Sequence, residues 1–527
     1  VTIKRIILTL LTVVVIGRLV LSLGNSFSQP QIQARLELYQ TNLVLQVSEL
    51  QSDDSDALDS EDLAAVRKAL LGDDPYFSAQ KQYQQVRETA QTRLSEFRAQ
   101  LQQVSPEATA TSGQATTPMA QAPNVSSQQI RQLENSLREL DLKIGLLQAQ
   151  RGEIEAAFTT WQNLTPSSEE ETSPEAIPQT AATLMGLWRE PPRVSPNAES
   201  QIQENLNGWF RYRALSRLYQ SQERPDALQT LQAQEQEGAK QALVKLAVIS
   251  AVPGLGMLLG AGLLIFLLAQ LLIRGKNSVL ATNSGVAWET PWDWEITWQV
   301  LIVGFFFVSQ FVIGGILLPL FFGLSGINPA SFGIRLQAFY ILVSYLLTAA
   351  GGLLVLYLSI RSFLPLPKDW FRFQWLSNWI LWGLGGYLVA VPLVIVVSVL
   401  NQQIWQGQGG SNPILSVALQ AQNWVALAIF FFTASVAAPI FEEIIFRGFL
   451  LPSLTRYLPV WGAILASSLV FSIAHLSLSE VLPLATLGIV LGVVYTRSRN
   501  LLAPIFVHSL WNSGTLLSLF ILGSGAN

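Results

Sequence analysis

FTASVAAPIFEEIIFRGFLLPSL, residues 432–454, is an apolar run of membrane-spanning length that carries two glutamates and an arginine. About 20 mostly apolar residues cross a bilayer core as a helix. Each charge placed in that core costs about 2.5–3.5 kcal/mol on insertion scales, so the charges that occur face a cavity or a partner. Glu443 and Arg447 stand at i and i+4, share one face and can pair. Glu442, rotated by about 100° from Glu443, is left available, and Pro439 upstream can loosen the helix where Glu442 needs water. The alternative is a purely structural Glu–Arg pair that locks two helices.

Apolar runs recur outward from this stretch. Helices are expected near 243–273, 297–325, 336–360, 375–400, 421–450, 459–477, 480–497 and 500–522. A further run, 6–23, follows Lys4 and Arg5 and is interrupted by Arg18. No A-x-A-like cleavage site follows it, so an uncleaved anchor is expected rather than a signal peptide. The fold class expected is all-α: a polytopic helical membrane bundle of about eight C-terminal transmembrane helices plus an N-terminal anchor, with a helical soluble domain between. The expected divisions are 1–29 for the anchor, 30–240 for the soluble domain, 241–419 for a first set of membrane helices and 420–527 for the core that carries the site.

Composition agrees with two physical regimes in one chain. Half of the 527 residues are hydrophobic and 13% are charged, against roughly 25% charged in a soluble domain. The net charge of −4 and the lack of a basic run give no sign of nucleic-acid binding. With no cysteine, disulfides and thiolate metal sites are excluded. Trp288, Trp292, Trp294 and Trp298 are expected at a membrane interface. If Lys4 and Arg5 are cytoplasmic, alternation puts Arg274, Lys276, Arg361, Lys368, Arg372, Arg456, Arg497 and Arg499 on the same side, and Arg335 alone opposite. That arrangement obeys the positive-inside rule and places 30–240 and the C-terminus on the non-cytoplasmic face; Lys240 and Lys245 run against it.

The polar part, 30–240, reads as helical. KIGLLQAQRGEIEAAFTTW (143–161) and ALSRLYQSQERPDALQTL (214–231) look like degenerate tetratricopeptide-type hairpins, with an ordinary helical hairpin or coiled coil as the alternative. Linkers are expected at 105–128 and 165–181. A repeat of this kind would bind a protein partner.

The chain has two histidines, His475 and His508, both in apolar runs of the last hundred residues. Phe471 and His475 are i, i+4 in FSIAH; His508 and Asn512 are i, i+4 in HSLWN. At about 1.5 Å rise per residue, Glu442, His475 and Asn512 reach similar depths, roughly 18–24 Å from their basic ends, with His508 shallower. A glutamate in an apolar cavity suits general-base work. Glu442 with His475 could deprotonate a water, and His508 with Asn512 could donate hydrogen bonds to an oxyanion. Glu442, His475 and His508 could alternatively hold zinc with a water in the fourth position, although the HExxH spacing is missing.

EEIIFR, FSIAH and HSLWN, in this order on apolar helices, closely resemble the three motifs of the CPBP family: CAAX prenyl-protein endopeptidases and bacteriocin-processing or self-immunity (Abi) proteins. The resemblance covers about 420–520. It implies an intramembrane endopeptidase with a cavity open to the cytoplasmic leaflet, acting on proteins or peptides in or at the membrane. It also implies water activation by Glu442 and His475, with His508 and Asn512 at the oxyanion and Glu443 and Arg447 in support. The family is often labelled a metalloprotease, while a glutamate-dependent, metal-free mechanism is argued for its best-described members, so no cofactor is required in the favoured reading. The large 30–240 domain departs from the simple prenyl-protein processors. Two other readings stay open: a non-enzymatic membrane scaffold whose polar domain recruits a protein partner, and a proton-coupled transporter.

Overall fold

The computed structural model describes residues 2–27, 29, 31–50, 71–104, 127–164, 176–412, 414–415, 419 and 423–523. Most of the two expected linkers, 105–126 and 165–175, lies outside them, and the rest of each is helical. The chain forms two compact units, one of residues 1–33 with 249–523 and one of residues 34–248. The chain opens on α1 (Ile3–Phe27), which belongs to the first unit.

The regular elements of the second unit, among its described residues, are all helices: α2 (Gln33–Ser48), α3 (Pro75–Val104), α4 (Ser127–Gln150), α5 (Ile154–Gln162), α6 (Ala176–Trp188), α7 (Ala198–Asn205) and α8 (Gly208–Ser221), followed by the start of α9 (Pro225–Arg274). Both hairpins proposed from the sequence, α4–α5 and α8–α9, turn in the same way. Gly152 and Glu223 take left-handed φ values of 81° and 54°. The next N–H reaches back five residues, Glu153 to Gln148 O at 2.9 Å and Arg224 to Tyr219 O at 3.0 Å, which closes each helix by satisfying its last carbonyls. The core is aromatic, with Tyr83, Trp161, Trp209 and Phe210 almost fully buried. Their polar atoms are satisfied: Trp161 Nε1 donates to Leu142 O and Trp209 Nε1 to Glu49 Oε1.

The first unit is the apolar bundle. After α9 come α10 (Trp294–Ser325), α11 (Ile334–Ile360), α12 (Trp379–Trp405), α13 (Trp424–Leu454), α14 (Val460–Ile473), α15 (Val481–Ser498) and α16 (Leu502–Gly523). Among the described residues, eight helices are long and apolar enough to cross a membrane: α1, α9 to α13, α15 and α16. The run expected to span at 459–477 is different. Its helix, α14, has 14 residues, about 21 Å of rise, against a hydrocarbon core of about 30 Å. The chain leaves the helix at Ala474 and passes through Leu476 with φ 58°.

Helix α13 is the hub, packing on α11, α14, α15 and α16. It is π-helical over Thr433–Ala437 and again over Ile444–Leu450, on both sides of the two glutamates. Such wide turns inside α-helices frequently mark functional sites. Trp294 and Trp298 are exposed as an interfacial position requires, but Trp288 and Trp292 are buried. Each finds both an aromatic neighbour and an acceptor: Trp288 stacks on Tyr495 and donates to Asp369 O, and Trp292 stacks on Phe449 and donates to Ser453 Oγ.

The connection from α9 to α10 is pinned at the basic end of the bundle. Arg497 donates to Leu280 O, Arg499 to Val286 O, and Arg456 to Thr290 O and Trp292 O. Lys4 and Arg5 of α1 both pair with Glu295 at this same end.

Close approach of helices rests on glycine at a few points. A Cβ on Gly260 of α9 would stand 1.9 Å from Leu388 O of α12, whereas one on Gly262 would meet nothing within 4 Å. Gly260→Ala should therefore cost about 1–3 kcal/mol through overpacking and lower the melting temperature of the detergent-solubilised chain. Gly262→Ala should leave it unchanged or slightly raised, and equal melting of the two variants would contradict this packing.

Candidate active site

The two adjacent glutamates of α13 live in different surroundings. Glu443 and Arg447 are both fully buried and paired at 2.9 Å. Arg447 also donates to Gly488 O of α15 at 3.2 Å and lies over the Phe471 ring at 4.4 Å. That reach depends on Gly488, where a Cβ would press against Ser468 at 2.9 Å. The guanidinium is thus held by a carboxylate, a carbonyl and an aromatic face, each a favourable partner for a cation.

Glu443 has a second partner that the depth estimate did not anticipate. His508 Nδ1, on α16, stands 2.8 Å from Glu443 Oε1. The estimate from helix rise left His508 shallower than the glutamates, whereas the structure sets it level with Glu443. Since a carboxylate only accepts, His508 carries a proton on Nδ1 and turns Nε2 the other way. Nε2 lies 4.0 Å from Glu442 Oε2.

Glu442 is 17% exposed at its side chain. Its Oε1 accepts a hydrogen bond from Tyr345 of α11 at 3.3 Å. Its Oε2 is buried without a hydrogen-bond partner. The 4.0 Å gap to His508 Nε2 is too long for a direct hydrogen bond, but it matches two oxygen or nitrogen atoms that share one small polar molecule between them.

His475 sits just beyond the end of α14 and is partly exposed. Its Nδ1 donates to Phe471 O at 2.9 Å, which leaves the lone pair on Nε2. Phe471 is the common neighbour of the two imidazoles, edge-on to His475 at 4.9 Å and to His508 at 5.7 Å. Among the described residues, no hydrogen bond or ion pair joins Glu442 to His475; the imidazole beside Glu442 is that of His508. Asn512, one turn along α16 from His508, donates from Nδ2 to Ala434 O at 2.7 Å, inside the first wide turn of α13. The amide keeps one further N–H to donate.

The loop that carries His475 is held from outside. Ser477 and Ser479 donate to the carbonyls of Gly409 and Gly410, and Leu478 N donates to Ser26 Oγ at the end of α1. Glu480 accepts from Asn412 N at 2.9 Å. Among the described residues no three His, Cys, Asp or Glu side chains are grouped to hold an ion; each imidazole spends Nδ1 on a protein acceptor and keeps Nε2.

Tyr345 was not singled out by the sequence, because nothing marks one tyrosine in an apolar run of a chain with 11. The available signal was general: a phenol buried among membrane helices needs an acceptor, and the run 336–360 offers few polar atoms.

Comparison with known proteins converges on the same part of the chain. Residues 424–514 match the family model described as type II CAAX prenyl endopeptidase Rce1-like. YdiL of Bacillus subtilis (strain 168), named as a proposed membrane peptidase, is 26% identical over 196 residues, 36% of this chain and 76% of that protein. MroQ of Staphylococcus aureus (strain USA300), named a membrane-embedded CAAX protease, is 28% identical over 137 residues, 25% of this chain and 54% of that protein. The chain thus spans about three quarters of one relative and about half of the other. No solved structure matches significantly. The three motifs on α13, α16 and the end of α14 all lie inside the segment that matches the type II CAAX prenyl endopeptidase Rce1-like family model.

Proposed function

We propose that the protein is an intramembrane endopeptidase that hydrolyses peptide bonds of membrane-associated proteins or peptides, with Glu442 as the general base. One observation carries this reading: Glu442 Oε2 is buried, has no hydrogen-bond partner and faces His508 Nε2 across 4.0 Å. A buried acceptor left open is costly unless water or substrate fills it.

In this reading a water donates one hydrogen to Glu442 Oε2 and attacks the scissile carbonyl carbon as that proton is transferred. His475, with its Nε2 lone pair free, holds the same water from the partly exposed side. The tetrahedral intermediate places negative charge on the former carbonyl oxygen, where the remaining N–H of Asn512 donates to it, joined by His508 Nε2 once that nitrogen too carries a proton. One such donor contributes about 2.7–4 kcal/mol. The proton on Glu442 then passes to the leaving amine. Glu443 and Arg447 touch no reacting atom; they hold His508 in register. No metal takes part in this scheme.

Sidedness follows from charge. Lys4, Arg5, Arg456, Arg497 and Arg499 meet at one end of the bundle through the 280–295 segment, which supports a cytoplasmic location for that end. In this reading residues 30–240 are non-cytoplasmic. Their paired helical hairpins suit a protein partner, and the relatives' names suggest substrates of the CAAX class without fixing them.

Three outcomes test this assignment. Glu442→Gln and His475→Ala should each lower cleavage of a quenched, farnesylated CAAX peptide or of a trapped membrane protein by about 10²–10⁴-fold, with melting nearly unchanged. Loss of folding in both variants, together with an inert wild type, would favour the scaffold. Arg447→Met should behave in the opposite way, destabilising the detergent-solubilised chain by about 3–5 kcal/mol because Glu443 is left buried and uncompensated. Dialysis against a strong zinc chelator should leave the cleavage rate intact, and a loss restored by zinc would overturn the metal-free scheme.

A further inference from the structure

We propose that Tyr345 is a positioning residue of this site: its hydroxyl holds Glu442 Oε1 and so leaves Oε2 as the oxygen that takes the proton. This rests on the reading of Glu442 as the base. Tyr345 belongs to α11, outside the segment 424–514 that matches the family model, so the site draws on a helix that its three motifs do not include.

The geometry is specific. Tyr345 OH stands 3.3 Å from Glu442 Oε1, and an ionised carboxylate only accepts, so the phenol donates. Its ring lies edge-on to Phe441 at 6.3 Å, which fixes it beside the helix that carries the carboxylate. Helix α11 approaches this closely because Gly352, two turns on, leaves room for the Phe441 ring; a Cβ there would stand 3.1 Å from Phe441 Cζ.

The terminal torsion of a glutamate is broad and roughly two-fold, so a free carboxylate would exchange its two oxygens in front of His508. A donor on Oε1 removes that equivalence. It leaves Oε2, buried and without a partner, facing His508 Nε2 at 4.0 Å. The chemistry balances without any change at tyrosine: a water proton moves to Oε2, the hydroxide forms the new C–O bond, and the proton passes to the nitrogen as the C–N bond breaks and the amine leaves. Tyr345 keeps its own proton throughout.

The test uses the full chain in lipid nanodiscs with a quenched, farnesylated CAAX peptide as probe. Tyr345→Phe keeps the ring and removes the donor. It should lower kcat by about 10- to 100-fold, the loss of one hydrogen bond to a charged group, while KM stays within about twofold of wild type. Glu442→Asp withdraws the carboxylate from the phenol and should lower kcat as well. If Tyr345 acts through Glu442, adding Tyr345→Phe to Glu442→Asp costs nothing more. Wild-type kcat in Tyr345→Phe, or full additivity in the double variant, overturns the proposal.

An infrared arm reads the same bond without turnover and decides the matter if the peptide is not cut. The carboxylate stretch lost in Glu442→Gln should shift in Tyr345→Phe, and an unshifted band overturns the proposal. The underlying reading fails separately, through a Glu442→Gln variant that remains active. An inactive Glu442→Gln beside a fully active Tyr345→Phe sinks only the role of the tyrosine.

Discussion

The buried contact among Glu443, Arg447 and His508 is the constraint on which the rest of the bundle depends. A fully buried carboxylate and guanidinium need each other and further polar partners, and these partners come from several helices. Arg447 draws in α15 through Gly488 O and α14 through the face of Phe471, while Glu443 draws in α16 through His508. Replacing the ion pair by apolar side chains could pack as well, but it would leave His508 without the acceptor that sets its tautomer and ring orientation. The pair thus couples the packing of four helices to the direction of one nitrogen.

Around that fixed centre, Glu442 is held more lightly. It differs from its neighbour by one residue, yet its side chain is partly exposed, it pairs with no cation at close range and its one hydrogen-bond donor is a phenol. His475 is tied at one nitrogen and free at the other, and its loop is tethered by the serine contacts to Gly409 and Gly410. The wide turns of α13 place these groups. They change the angular step along the helix on either side of Glu442 and Glu443, so that side chains from α11 and α16 converge on one level.

Much of this was visible in the residues. The apolar runs, the i, i+4 relation of Glu443 with Arg447 and the motif pairs on α14 and α16 follow from periodicity and from the rarity of charge in hydrocarbon. What was hidden depended on departures from ideal geometry. Local sequence does not announce a π turn, and counting rise from assumed helix ends does not reveal which residues of two helices stand level, as His508 and Glu443 do. The 459–477 run has the composition of a span, but its helix stops after Ile473 and a left-handed Leu476 redirects the chain. Trp288 and Trp292 have the type of interfacial residues and a location set by specific acceptors, Asp369 O and Ser453 Oγ, that only the tertiary fold provides. Tyr345 was hidden for a related reason: its partner is almost a hundred positions away.

The arginines that pin the 280–292 segment do so through carbonyl oxygens. A carbonyl accepts a hydrogen bond without cancelling a charge, so Arg456, Arg497 and Arg499 remain cationic while serving as clamps. One set of side chains therefore does two jobs that usually compete: it closes the end of the bundle and keeps its positive charge there. Removing a basic residue at this end would loosen the lashing between α9 and α10 as well as lower the charge.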